Sequence, residues 1–330
     1  MGQRADIRAV QPSEPPRDWT SWSSGSRFRR GASQALRACG RALGPRMVPS
    51  FLVIGAKRSG TTSLYEYLRQ HPDVFGGLVP KGTHYFDVNF SRGWDWYLAN
   101  FPPEFAARVA RRRRRHQPVT GEASPYYLFH PMAPPRIAAA LPDVRLIAVL
   151  RDPIERAYSH YQYELARGAE HLAPEDAFDR EDGRLAGEAE RMAAEPGYES
   201  FEHRHHSYLA RGRYAEQLEA LYAHVAPERV LVLQSEALFA DPDAAMQAVH
   251  RFLGCRSVPV RDARPFKALG AGDAVPPSLR VSLERHFREP NERLYAMPGI
   301  EFRWPSGRDG VARRSGAHRP LASDSGTRSP

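Results

Sequence analysis

The sequence predicts an α/β domain of three layers, α/β/α, with a central parallel sheet and a helix-rich C-terminal half. Two observations lead there. Residues 51–54 (FLVI), 144–150 (VRLIAVL) and 230–233 (VLVL) are short apolar runs rich in β-branched residues, which read as strands buried on both faces. Each is followed by apolar residues at helical spacing, and strands that alternate with helices build a parallel sheet with its ligands outside the carboxyl ends of the strands.

In chain order, residues 1–47 are rich in Pro, Ser, Gly and Arg and read as a disordered basic arm, although residues 28–43 would also suit a short basic helix. The domain proper is expected over 48–304, with a low-complexity tail over 305–330. After the strand at 51–54, Leu64, Tyr67 and Leu68 mark a helix that His71 and Pro72 stop. A loop at 80–87 (PKGTHYFD) precedes two helices, 94–100 and 103–115. The second ends in Arg111–Arg115, read as a solvated helix end, with a rim contact to an acidic acceptor as the other reading. Residues 120–127 (TGEASPYY) are a strand end that turns at Pro125.

Beyond the strand at 144–150, Asp152 is placed as an N-cap and Pro153 as the first helical residue, with Ile154, Tyr158, Tyr161 and Leu165 on the apolar face. Helices dominate 174–223, and another follows the strand at 230–233 and closes at Gly254.

A net charge of +9 favours anionic partners without choosing among them. Only three of the 47 basic residues are lysine, Lys57, Lys81 and Lys267, and two of these fall in candidate site loops, where a compact point charge has a use. Cys39 and Cys255 form neither a disulfide framework nor a metal set. No run is apolar enough for a membrane helix, and the N-terminus lacks a signal-peptide core.

The junction at 55–63 (GAKRSGTTS) is the most informative stretch. A glycine-bounded turn between strand and helix aims backbone N–H groups and the positive helix end at one point, where a phosphate fits. Gly55 and Gly60 have the separation of a nucleotide-triphosphate P-loop, making the fold P-loop-like, but Thr61 stands where that motif has lysine. The cation is Lys57, and Arg58, Ser59, Thr61, Thr62 and Ser63 add donors. Residues 55–62 resemble the 5′-phosphosulfate loop, G-x-x-[KR]-[SG]-G-T-[ST], of sulfotransferases that use 3′-phosphoadenosine 5′-phosphosulfate (PAPS).

At the end of another strand, Arg151 and Ser159 pair a guanidinium fork with a hydroxyl. The run from Arg151 to Ser159 resembles that family's 3′-phosphate motif, R-[DN]-P-x-[ED]-R-x-x-S. Residues 208–214, 231–236 and 290–304 resemble blocks of its bacterial carbohydrate-type members, relatives of the heparan sulfate enzymes; by themselves these blocks read as core packing. The resemblance puts Arg211 and Lys267 near the nucleotide. It implies sulfuryl transfer from PAPS, without a metal, to a hydroxyl or amine of a carbohydrate or small natural product, with 3′-phosphoadenosine 5′-phosphate (PAP) released. The partner expected is a glycan or small-molecule acceptor, an anionic one suiting the charge, and not nucleic acid. Golgi members of the family carry a membrane anchor, so its lack here leads to the expectation of a cytoplasmic enzyme.

Such chemistry needs cations on the sulfonate, an in-line nucleophile and a base. Lys57 is the cation, Lys81 a helper from the facing loop, and His84 the natural base. Relatives read K-E-x-H-[FY]-F where this chain has Gly82, and their glutamate looks like the base. Either His84 serves alone, or Glu122 reaches in, or the acceptor needs less help. Some relatives also have lysine where Ala123 stands. Two other readings stay open: an ATP-dependent P-loop kinase, against which stand the misplaced lysine and the lack of an acidic magnesium site, and a catalytically weak nucleotide- or glycan-binding protein.

Overall fold

The computed structural model describes residues 44–77, 82–114, 118–266 and 274–305. Lys81, Lys267, the segment at 28–43 and the tail from 306 lie outside the described residues. Central to the fold is β1 (Phe51–Gly55), in a five-stranded parallel sheet of order β2-β3-β1-β4-β5, with β2 at Val74–Gly76, β3 at Val119–Ala123, β4 at Arg145–Leu150 and β5 at Val230–Gln234. In register, Leu52 stands opposite Glu122 of β3 on one side and Leu146 of β4 on the other. The chain fills one side of β1 first and then crosses to the other, so the order reverses between β1 and β4, where open α/β sheets bind ligands.

The first half carries α1 (Thr61–Arg69), α2 (Trp94–Leu98), α3 (Glu104–Arg114) and α4 (Ala133–Ala140). After β4 come α5 (Pro153–Leu165), α6 (Pro174–Asp179), α7 (Glu181–Leu185), α8 (Glu188–Ala194), α9 (Phe201–His205) and α10 (Tyr214–Tyr222). Following β5 are α11 (Ser235–Ala240), α12 (Pro242–Leu253) and α13 (Pro277–Tyr295).

Alternation along the strands divides the core into the expected layers. Leu52, Ile54, Leu146, Ala148 and Leu150 face Ile137 of α4, Leu218 of α10 and the aromatic cluster of Phe86, Tyr97 and Tyr127. Phe51, Val53, Ile147 and Val149 face Leu64 and Leu68 of α1 and Met246 and Val249 of α12. Phe51, Leu52 and Val53 are wholly buried, each burial stabilising the fold by about 1.5–3 kcal/mol. A third cluster joins α5, α6 and α13 through Tyr158, Tyr161, Phe178, Leu283 and Phe287.

Three local expectations need correcting. β5 is half-buried along its length, since it forms the sheet edge. Residues 45–47, assigned to the arm, are tied to the domain by backbone bonds, with Met47 buried: Met47 donates to Pro102 O, and Glu104 donates to Pro45 O. Finally, Leu165 is 44% exposed, while the buried position beside it on α5 is filled by Glu164, at 0%. The apolar stripe of α5 thus stops at Tyr161 and gives way to a charge. No helix among the described residues is long and apolar enough to cross a membrane.

Candidate active site

β1 and β4 deliver their loops side by side at the reversal. Ala56 donates to Val149 O at 2.8 Å, tying the first loop to β4. Gly60 caps α1 in the left-handed region, φ 94°, and a Cβ there would lie 2.9 Å from the ring of Phe239, so the turn needs glycine for conformation and for space. Thr61, Thr62 and Ser63 form the first turn of α1, whose N–H groups lack intrahelical partners. Ser63 Oγ accepts from Phe266 N at 2.9 Å, which assigns this hydroxyl a packing role as well.

Arg151 and Ser159 meet the first loop. Arg58 Nε donates to Ser159 Oγ at 3.1 Å, and the Arg58 guanidinium lies 5.0 Å from the centre of the Tyr163 ring. Arg151 donates to Arg58 O at 3.5 Å and lies 3.8 Å from Glu155. Asp152 caps α5 as expected, accepting from Ile154 N and Glu155 N. The turn is pinned from outside: Tyr214 OH donates to Arg151 O at 2.8 Å, while Glu236 accepts from Asp152 N and Trp304 Nε1, both at 3.0 Å. The sequence blocks around these three residues therefore brace the Arg151 corner. Arg211 is buried deeper, donating to Ser207 Oγ and to the carbonyls of His203 and Arg204, with its guanidinium against Tyr126 and Phe129.

Lys57 turns inward. Its Nζ donates to Glu164 Oε1 at 2.6 Å and to Arg204 O at 3.4 Å. Burial pushes Lys57 down to about 7 against the pull of Glu164, with Arg211 and Arg204 adding to the lowering. Burial would raise Glu164, but Lys57, His160 and His205 outweigh it and hold the carboxyl far below the usual range.

The facing loop hangs on Glu122. Its carboxylate accepts from Thr83 N, from Thr83 Oγ1 at 2.7 Å, from Tyr127 OH at 2.8 Å and from Ser124 Oγ at 2.9 Å. Burial raises its pKa, opposed chiefly by the bonds from Thr83. Glu122 thus has both oxygens engaged by the loop and its neighbours and only 3% of its surface exposed. A Cβ on Gly82 would lie 2.2 Å from Ala123 O and Ser124 Oγ, so this loop excludes any side chain there. Ala123 is wholly buried.

His84, at φ 51°, is held with its backbone N–H on Ser124 Oγ at 3.0 Å. Its Nδ1 lies 2.7 Å from Asp87 Oδ2, and the Asp87 side chain is fully buried. Burial would raise Asp87, but His84, with Arg204 and His130, outweighs it, so the pair is a carboxylate accepting from Nδ1–H. Asp87 engages Nδ1 and not Nε2, the geometry of an imidazole oriented by a third group.

Sequence reasoning missed Glu164, Asp87 and Glu199. Glu199, ahead of the α9 cap Ser200, has a buried Oε2 without a hydrogen-bond partner. Burial and the charge of Asp87 push it up to about 7, against Arg204 and Arg136. Only Glu164 left a signal, as an acid among apolar and aromatic residues on a buried helix face.

A glycine-bounded turn at the start of α1, an arginine–hydroxyl corner at the start of α5 and a carboxylate-backed imidazole lie at the switch point of a parallel sheet, an arrangement that suits anion binding and group transfer. A family model described as the sulfotransferase domain matches residues 49–264, and the chain belongs to that family. It is 30% identical to human heparan sulfate glucosamine 3-O-sulfotransferase 6 over 297 residues, covering 79% of this chain and 75% of that one. Identity to mouse heparan sulfate glucosamine 3-O-sulfotransferase 3A1 is also 30%, and there the match covers 79% of this chain but only 65% of the relative's length. Among solved structures, a sulfotransferase from Alicyclobacillus acidocaldarius matches with 28% identity and a TM-score of 0.56, over 78% of this chain and 98% of that one. The chain thus shares the sulfotransferase family's domain, with the central parallel sheet and flanking helices of that fold.

Proposed function

We propose that this protein transfers a sulfuryl group from PAPS to a hydroxyl of a carbohydrate, releasing PAP. The observation that carries the reading is the contact of Arg58 with Ser159, which brings together two anion motifs 101 residues apart in sequence. The donor set suits the nucleotide: Arg151 and Ser159 for the 3′-phosphate, and Lys57 with the first turn of α1 for the phosphosulfate. Relatives named as heparan sulfate 3-O-sulfotransferases support a sugar hydroxyl as nucleophile, and the net charge of +9 suits an anionic glycan.

PAPS supplies an activated sulfuryl group on a phosphate leaving group; the chain supplies the rest. Arg151, Arg58 and Ser159 bind and orient the nucleotide. Lys57 brings positive charge to the oxygen on which negative charge develops. His84 Nε2 accepts the proton of the attacking hydroxyl, and Asp87 stabilises the imidazolium that results. Glu122 keeps the His84 loop in place.

Calorimetric titration with PAP, and separately with ATP plus magnesium, tests the donor site. Tighter binding of PAP, followed by labelled-sulfate transfer to a heparan-type acceptor, is expected. Preference for ATP plus magnesium would restore the kinase reading.

A further inference from the structure

Lys57 is enclosed by groups from three elements. From α5 come Glu164, His160 and the Tyr163 ring, 5.6 Å away; from α9 come His205 and Arg204; and the turn at Ala210–Gly212 adds Arg211. Glu164 is the one carboxylate among them. Its Oε1 takes Lys57 at 2.6 Å and lies 3.4 Å from His160 Nε2, and its Oε2 lies 3.0 Å from His205 Nδ1. The Glu164 side chain is fully buried and that of Lys57 is 18% exposed, so solvent and salt screen the pair only from the lysine side.

A charge buried this deeply is costly unless matched, and the other ionised groups around Lys57 are cations that repel it. We propose that Glu164 is a positioning residue for the donor site, an internal anion that keeps Lys57 charged in the donor-free protein and releases it when the phosphosulfate takes over as counter-ion. Glu164 stays seated through the exchange because His205 still donates to it and His160 lies alongside. The inference rests on the donor-site reading above for its second half, and on the described contacts alone for its first.

The scarcity of lysine makes the test direct, because Lys57, Lys81 and Lys267 are the only ones in the chain. Competitive acetylation against pH, read by mass spectrometry, gives the titration midpoint of Lys57. In the nucleotide-free protein the Glu164→Gln variant should shift that midpoint down by at least one pH unit, a tenfold change in protonation, and Glu164→Asp should restore part of it. An unmoved midpoint in folded Glu164→Gln overturns the pairing. The unmutated chain gives a second reading that needs no variant: PAP should raise the Lys57 midpoint, with proton uptake near pH 7 in calorimetry repeated in buffers of different ionisation enthalpy. A midpoint unchanged by bound PAP overturns the hand-over alone. Failure of PAP to bind overturns it together with the donor-site reading, while the nucleotide-free titration still decides the pairing.

Discussion

His84 and Asp87 sit on one turn with Nδ1 and Oδ2 2.7 Å apart, the imidazole partly open and the carboxylate sealed beneath it. His84→Ala should lower kcat by about 10²–10⁴-fold, the usual contribution of a positioned base, and leave PAP affinity unchanged. Asp87→Asn should also lower kcat, because an amide can donate to Nδ1 and favour the wrong tautomer. Single-turnover transfer beside PAP calorimetry checks both; equal loss of binding would speak against the assignment.

Glu122→Gln should weaken the fold rather than the chemistry. An amide cannot accept every bond that the carboxylate takes from Thr83, Tyr127 and Ser124, and a mismatched buried donor costs about 1–3 kcal/mol. Denaturant melts should show that loss while the folded protein keeps transferring. Full stability with lost turnover would make Glu122 the base.

Restoring the relatives' glutamate at position 82 should not help. The backbone of Ala123 and the hydroxyl of Ser124 occupy the space its Cβ needs, at 2.2 Å each. Gly82→Glu is expected to displace the His84 loop, with a lower melting temperature and less activity than the parent chain. A gain in activity would show that the loop has a second arrangement.

The pH profile should carry the signature of Lys57. Its charge is present below about 7 and lost above it, since burial lowers the ammonium from its ordinary value. For the donor, kcat/KM should fall by roughly tenfold per unit as pH rises past that point. Lys57→Ala should abolish transfer, and a flat profile to pH 9 would contradict the role.

Arg151→Ala should cost about 1.5–3 kcal/mol of PAP binding, the worth of a hydrogen bond to a charged group, without unfolding the corner. Tyr214 and Glu236 hold that turn through its backbone, so the guanidinium is dispensable for its shape. Unchanged PAP affinity in calorimetry would remove Arg151 from the site.

What the sequence made legible was local. The strand, turn and α1 around Gly55 and Gly60 and the Asp152 cap all follow from spacing within a few residues. The relationships that were not legible are tertiary. Helical periodicity alone favours Leu165 for the buried end of α5, and nothing near Glu164 in sequence announces Lys57, 107 residues away. Glu122 reads as a candidate base because a carboxylate beside a site suggests one; only its four partners show that it is occupied.

The rung between Leu52 and Glu122 joins the strand that leads into the donor loop to the strand that carries the anchor of the His84 loop. Backbone pairing inside the core therefore acts as a ruler, setting the distance between cation and base independently of the outer segments. Those segments are free to diversify in length and charge without recalibrating the reaction.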